Sequence, residues 1–167
     1  MNEEQKFDLN NESIKTPNNK KNNLIVTFII IIIATVGFVG GMIVLNKDNL
    51  QNTESNLLQT KLEQLSNEFN KKAPYMIDDV TRLDKCEAKE NKTIAYYYTI
   101  IGIKDEEGKK IFTNEVIEEQ KSILIKMAKT SKDLQFFRDN EINLQYIYNS
   151  ENGTNLATIE IPYTLYK

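Results

Sequence analysis

An uncharged apolar run, Leu24–Leu45, constrains this chain of 167 residues more than any other feature. As a helix, the run would rise about 33 Å, which matches a bilayer hydrocarbon core of about 30 Å. It is longer than the apolar part of a cleaved signal peptide, about 7–15 residues, and no A-x-A-like cleavage site follows it. The run therefore predicts a retained transmembrane helix.

Lysines near the run predict its orientation. Lys15, Lys20 and Lys21 precede it, whereas only Lys47 follows it closely. Lysine and arginine are enriched on the cytoplasmic side of membrane helices. We therefore expect a single-pass protein of the cytoplasmic membrane, with its N-terminus inside and its C-terminal domain outside.

Changes in composition divide the chain into four parts. Residues 1–23 are polar and have too few apolar side chains to fold, which predicts a disordered cytoplasmic tail. The transmembrane helix at residues 24–45 follows, and then a juxtamembrane helix at residues 46–72. Residues 73–167 are expected to form an extracytoplasmic α+β domain.

The juxtamembrane helix carries one apolar stripe. Leu58, Leu62, Leu65 and Phe69 are spaced four, three and four residues apart, so they share one helical face. The stripe could cover the folded domain, or it could form a homodimer as a short stalk. Two heptads are too few to predict a coiled coil.

The remaining sequence predicts two hairpins separated by a helix. The second predicted strand is rich in β-branched and aromatic residues, the last two alternate apolar with polar residues, and the predicted helix has one apolar face. The elements are strands at Val80–Ala88 and Thr93–Ile103, a polar turn at Asp105–Lys110, a helix capped by Asn114 with Leu124 on its apolar face, and strands at Ile142–Tyr148 and Ala157–Ile161, joined by a turn containing Asn152 and Gly153. The order α-β-β-α-β-β predicts an antiparallel sheet covered on one face by helices.

The composition excludes several classes of site. The chain has no histidine, which removes serine and cysteine triads and the commonest zinc ligand. It lacks glycine-rich nucleotide-binding loops, and its net charge of -3 offers no basic surface for nucleic acid. We therefore predict no catalytic residues, no metal site and no cofactor. Cys86, the single cysteine, is expected to be a small buried residue or to form an intermolecular disulfide.

Tyrosines are concentrated on two predicted strands. The first carries three in a row, Tyr96, Tyr97 and Tyr98, and the second carries Tyr146 and Tyr148. Because successive strand residues point to opposite faces, at least one of the first three must point away from the helices. Tyrosine has a large apolar body and a polar tip, so these residues suit either a binding face or a half-buried sheet.

Three polar residues precede or open the first strand. Asp78, Thr81 and Arg82 bring together a carboxylate, a hydroxyl and a guanidinium. Arginine and tyrosine are enriched where protein partners bind. The candidate binding residues are Asp78, Thr81, Arg82, Tyr96, Tyr98, Tyr146 and Tyr148. The competing interpretation is structural: Asp78 pairs with Arg82 and the tyrosines line the core.

The segment Pro74–Leu83 (PYMIDDVTRL), followed by the two Tyr-x-Tyr strands, resembles a group of small bacterial envelope proteins. That group shows Asp-x-x-Thr-Arg-Leu before a Tyr-x-Tyr strand, a helix and a second Tyr-x-Tyr strand. Its members are anchored outside the cytoplasmic membrane by lipid or by one helix. The resemblance covers roughly Asn70–Ile161 and implies a location and a fold, but no activity.

These features favour a non-enzymatic, membrane-anchored envelope domain that acts by protein binding or assembly. The expected partners are the lipid bilayer and an envelope protein. Three alternatives remain open: a component of a secretion or conjugation apparatus, a membrane immunity protein that neutralises a toxin, and a histidine-free hydrolase.

The predicted orientation can be tested with protease. Because the lysines lie mainly before the apolar run, protease added to spheroplasts should digest residues 73–167 and spare the tail. Immunoblots against each end of the chain would measure this. A protected domain together with a digested tail would show that the orientation is the opposite of the predicted one.

Overall fold

The computed structural model describes residues 52–167 of the chain. The predicted tail and the predicted membrane helix lie outside these residues, so both remain predictions. Within the described part, none of the helices combines the length and the apolar character needed to cross a bilayer.

The described residues form an α+β domain, as predicted. A five-stranded sheet is combined with four helices and a short 3₁₀ helix. In chain order the elements are α1 (Asn52–Asn70), β1 (Tyr75–Met76), β2 (Thr81–Lys89), β3 (Thr93–Ile100), α2 (Asp105–Ile111), α3 (Asn114–Thr130), α4 (Gln135–Asp139), β4 (Asn143–Ser150), β5 (Asn155–Ile161) and the 3₁₀ helix Tyr163–Leu165.

The sheet is mixed, and the prediction of an antiparallel sheet was wrong. Its strands follow in the order β1-β2-β3-β4-β5, and three of the four neighbouring pairs are antiparallel. The central pair, β3 and β4, is parallel. The reason is the connection, because α2, α3 and α4 lie between these strands. A helical crossover of this length lets the chain return and start β4 at the same end of the sheet as β3.

The segment predicted as a polar turn at Asp105–Lys110 is instead the helix α2. Its acidic residues lie in the first turn and its lysines in the last, which suits the helix dipole. Gly108 lets the helix approach β5, because a Cβ atom there would come within 2.5 Å of the Leu156 side chain. Asp105 also accepts hydrogen bonds from the hydroxyls of Ser150 and Thr154.

Two smaller predictions need correction. Thr113, and not Asn114, caps α3, and its side chain accepts a hydrogen bond from the Val116 backbone N–H. In the β4–β5 hairpin only Gly153 has a positive φ, +84°, so Asn152 does not share that role. The start of α3 and the hairpin turn lie where the sequence predicted them, and each prediction was wrong by one residue only.

The core lies between one face of the sheet and the helices. Leu62 on α1 is fully buried, and the other residues of its apolar stripe, Leu58, Leu65 and Phe69, pack against the core. The stripe therefore covers the domain's own sheet and is not free to form a homodimer stalk. Leu124 on α3 is also buried, at 2% exposure, as its helical face predicted.

Truncation of Leu124 should measure the contribution of α3 to this core. Leu124→Ala removes buried apolar volume, so the free energy of unfolding should fall by about 2–5 kcal/mol. Urea unfolding of a fragment covering residues 46–167 would measure it. Lys126→Ala, at an exposed site on the same helix, should change it by less than about 0.5 kcal/mol. Equal effects would contradict the observed helix orientation.

Candidate functional site

The two Tyr-x-Tyr motifs face each other across the parallel pair. Tyr96 lies beside Tyr146 and Tyr98 beside Tyr148 in the register of β3 and β4. Their rings stack, with centroids 5.6 Å and 5.3 Å apart. All four side chains are buried, at 0–6% exposure. In this structure they line the core and offer no surface to a partner, which favours the structural interpretation for these four predicted site residues.

The burial of these tyrosines changes their acidity. Removal from water raises the pKa of Tyr96, Tyr98, Tyr146 and Tyr148. The hydroxyls of Tyr96 and Tyr98 find no hydrogen-bond partner within the described residues. The folded domain therefore favours the protonated, neutral form of these tyrosines.

Asp78 and Thr81 shape the turn that leads into β2. One Asp78 carboxylate oxygen accepts hydrogen bonds from the backbone N–H groups of Val80, at 2.9 Å, and Thr81, at 2.8 Å. The Thr81 side chain is buried. Asp78 therefore stabilises the turn before β2, and Thr81 packs inside the domain at the start of the strand.

Arg82 pairs with Asp84 and not with Asp78, so the predicted Asp78–Arg82 pair was wrong. The Arg82 Nε lies 2.5 Å from an Asp84 carboxylate oxygen, and Thr99 Oγ1 donates to the other oxygen, also at 2.5 Å. Residues 82 and 84 are two positions apart in β2 and therefore point to the same side of the sheet, whereas a bulge between Leu83 and Lys85 breaks the regular alternation from there on. The Arg82 side chain is 40% exposed, which makes it the predicted site residue with the most accessible charge.

Arg82 belongs to the face of the sheet that the described helices leave uncovered. Phe69 of α1 packs on Tyr96 and Phe112, just after α2, packs on Tyr148, so the helices lie on the tyrosine side. We call the opposite side the open face. Its exposed or half-buried side chains are Arg82, Asp84, Lys85, Glu87, Lys89, Thr93, Tyr97, Asn143, Gln145, Ile147, Asn149, Thr158 and Glu160.

Tyr97 and Ile147 form the apolar centre of the open face. They are direct neighbours on β3 and β4, and both are half-buried. Lys85 Nζ lies 4.2 Å from the centroid of the Tyr97 ring and Lys89 Nζ lies 5.5 Å from it. Burial, followed by a hydrogen bond to Glu87, raises the pKa of Tyr97 to about 12. The sequence predicted that at least one of the three consecutive tyrosines points away from the helices, and Tyr97 does so.

A groove of about 770 Å³ lies beside this centre, at the end of the sheet near the β2–β3 loop. A chain of hydrogen bonds spans it: Lys89 Nζ donates to Gln145 Oε1 at 2.7 Å, and Gln145 Nε2 donates to Glu160 Oε1 at 3.0 Å. Ala95 points to the same side of the sheet but is fully buried and does not line the groove. The groove is lined by charged and amide side chains of the open face together with apolar residues at the end of the sheet, Leu144, Ile161 and Pro162.

Cys86 lies on the covered face and is a free, buried thiol. Burial raises its pKa to about 12, so it stays protonated and unreactive at neutral pH. The Asn70 side chain donates to the backbone carbonyl of Cys86 at 2.8 Å and accepts from its N–H at 2.7 Å, which fastens the end of α1 to β2. An intermolecular disulfide through this residue would require the domain to open.

The family model described as a domain of unknown function (DUF8479) matches residues 56–157. No curated protein is significantly similar to the chain in sequence.

Three solved structures share the fold. PA3611 from Pseudomonas aeruginosa, a candidate secreted protein, has a TM-score of 0.57 at 11% identity and covers 72% of this chain and 100% of its own. EpsS, the pilotin of the Vibrio vulnificus type 2 secretion system, has a TM-score of 0.52 at 7% identity, with coverage of 70% and 98%. AspS, the type II secretion pilotin of Vibrio cholerae, has a TM-score of 0.50 at 11% identity, with coverage of 68% and 96%. At these identities the similarity establishes the fold alone.

The different environments of Asp78 and Arg82 predict different effects of mutation. Asp78→Ala deletes the acceptor of two backbone N–H groups and should lower the free energy of unfolding by about 1–3 kcal/mol. Asp78→Asn keeps an acceptor oxygen and should cost less. Arg82→Ala breaks a partly exposed ion pair and should cost less than about 1 kcal/mol. Urea unfolding would rank the three variants, and a larger loss for Arg82→Ala than for Asp78→Ala would contradict these assignments.

The raised pKa values of the buried thiol and the buried tyrosines also predict a loss of stability at high pH. Folding raises the pKa of the Cys86 thiol and of the buried tyrosines, so the folded state holds these protons more tightly than the unfolded state. The resulting stability is fully present below about pH 8.5, where the unfolded groups are still protonated, and falls as the pH rises towards 12. Tyrosinate absorbance of the buried residues should appear together with unfolding. Gradual ionisation of all eight tyrosines in the folded protein would contradict this.

Proposed function

The chain belongs to the DUF8479 family of domains of unknown function, and we propose that it is a non-enzymatic, membrane-anchored envelope domain that binds a protein through the open face of its sheet. The observation that carries the proposal is the composition of that face. An apolar centre of Tyr97 and Ile147 is surrounded by charged and amide side chains. Protein interfaces have this arrangement, with apolar and aromatic anchors at the centre and a polar rim around them.

The shared fold supports a place in a secretion apparatus. Two of the similar structures are pilotins of type II secretion systems, and a third is a candidate secreted protein. Among the alternatives that the sequence left open, these similarities favour an assembly role in secretion over conjugation or immunity.

The sequence supports the anchor. The predicted membrane helix ends at Leu45, and α1 begins at Asn52. The domain would then lie close to the outer surface of the cytoplasmic membrane, where components of a secretion apparatus are within reach. The resemblance of the Asp78-x-x-Thr81-Arg82 segment to anchored envelope proteins agrees with this location.

The hydrolase alternative finds less support. The groove on the open face is lined by none of Asp78, Asp79 and Arg82, the residues that a carboxylate-based site would have used. One Asp78 oxygen already accepts two backbone hydrogen bonds. One Asp78 oxygen is therefore used in the turn before β2, and Arg82 pairs with Asp84.

Site-specific photo-crosslinking tests the proposed binding face. A photoreactive amino acid in place of Tyr97, in the full chain in native membranes, should form an adduct with one envelope protein, identified by mass spectrometry. The same amino acid in place of Lys126, which is exposed on α3, is the control and should not capture that protein. Ile147→Ala should reduce the Tyr97 adduct by weakening the apolar centre. The proposal fails if Tyr97 gives no adduct, or if both positions capture the same protein equally.

A further inference from the structure

The open face also indicates what kind of segment it binds. Resting on the proposed function, we infer that the partner presents a lysine or arginine about 7 Å from an apolar side chain, the basic group entering the groove and the apolar group covering Tyr97 and Ile147. Two properties of the face lead to this: two parallel rows of side chains and the charge of the groove.

The first row crosses four strands in register. Glu87 on β2 lies beside Ala95 on β3, Ala95 beside Gln145 on β4, and Gln145 beside Glu160 on β5. Three strand spacings of about 4.8 Å separate the two ends, so the carboxylates stand on backbones about 14 Å apart. Ala95, in the middle of the row, is fully buried, so the row presents to a partner the two carboxylates and the Gln145 amide between them.

The second row lies two residues further along each strand. Lys85, Tyr97, Ile147 and Thr158 are neighbours in the same register. Two residues of a strand span about 7 Å, which sets the distance between the carboxylate row and the apolar row. An extended partner would match this distance with side chains two residues apart, since its own side chains repeat at the same interval.

The charge of the groove selects a cation. Its lining contains three carboxylates, Glu87, Glu90 and Glu160, and one ammonium group, Lys89. Lys85 pairs with Glu87 at 3.0 Å, whereas Glu90 and Glu160 form no salt bridge with any residue of the described domain. The groove therefore favours a basic segment and disfavours acidic peptides or anionic lipid headgroups, which would meet like charge.

Defined peptides test the inference. The probe is a fluorescent peptide of repeated Lys-Ser-Leu-Ser, compared with its Glu-Ser-Leu-Ser and Lys-Ser-Ser-Ser counterparts. Fluorescence anisotropy would follow binding to the full chain in nanodiscs of zwitterionic lipid. We expect the Lys-Leu peptide to bind and both counterparts to bind at least tenfold more weakly. Added salt should weaken the binding of the Lys-Leu peptide, because the carboxylates of the groove are accessible to solvent and their attraction is screened by salt.

Matched charge variants locate the site. Replacing Glu87, Glu90 and Glu160 together by Gln should weaken the Lys-Leu peptide about tenfold, because three partly exposed charge contacts contribute about 0.5 kcal/mol each. Replacing Glu115, Glu118 and Glu119 on α3 by Gln removes the same charge from an exposed surface elsewhere, and should leave the affinity unchanged. Equal binding of the Glu-Leu peptide, or equal weakening by both triple variants, would overturn the inference.

The photo-crosslink at position 97 separates this inference from the proposed function. If the wild-type adduct forms and survives in the Glu87, Glu90 and Glu160 variant, the open face binds a protein but does not select a basic segment. If no adduct forms at position 97 even with all three carboxylates present, the proposed function itself fails. A normal thermal unfolding midpoint for the triple variant would show that lost binding is not lost folding.

Discussion

The structure depends on the parallel pairing of β3 with β4. That pairing sets Tyr96 beside Tyr146 and Tyr98 beside Tyr148, so four rings meet at the centre of the core. A parallel neighbour requires a crossover connection. The helices between the two strands supply it, and they cover the face that the tyrosines occupy. A slip of one residue in the pairing of β3 with β4 would turn both tyrosines of the slipped strand outward and break both stacks. The register of this pair and the position of the helices are therefore fixed together.

The open face follows from the same register. Since Tyr96 and Tyr98 point inward, Ala95 and Tyr97 must point outward, and their neighbours on β4 are Gln145 and Ile147. The Gln145 side chain that lines the groove and the apolar centre of Tyr97 and Ile147 therefore both follow from the same alternation. The inner tyrosines fix the fold, and the residues between them supply the surface on which we propose that a partner binds.

The sequence predicted what depends on local pattern. Leu124 faces the core, the stripe of α1 covers the sheet, and Gly153 makes the hairpin turn, because periodicity and turn chemistry act within a few residues. The sequence-based prediction was wrong where contacts between residues far apart in the chain determine the structure. The parallel pairing was missed because strand partners 50 residues apart leave no local mark, and α2 was missed because its polar segment is held by Leu156, Ser150 and Thr154.

The candidate site was predictable only in part, for a related reason. The spacing Tyr-x-Tyr shows that two rings share a face, but not which face the helices cover. Alternation along β2 places Arg82 and Asp84 on one face, but this local signal was passed over and Arg82 was paired with Asp78 instead. Alternation along the strand did predict that at least one tyrosine of the triplet points outward. It did not single out Tyr97, because the identity of the outward residue depends on the pairing with β4.

A weak binding face is consistent with the proposed anchor. Exposed charge contacts contribute only about 0–1 kcal/mol each, so the groove alone would hold a basic segment loosely. Residues 46–51 link the predicted membrane helix to α1 and can span at most about 20 Å, which would confine the domain to a thin layer above the bilayer. A partner held in the same layer meets it at a high effective concentration, and modest affinity then suffices for occupancy. The same domain released from the membrane would lose that advantage without losing a single contact, so the anchor is as much a part of the proposed binding function as the groove.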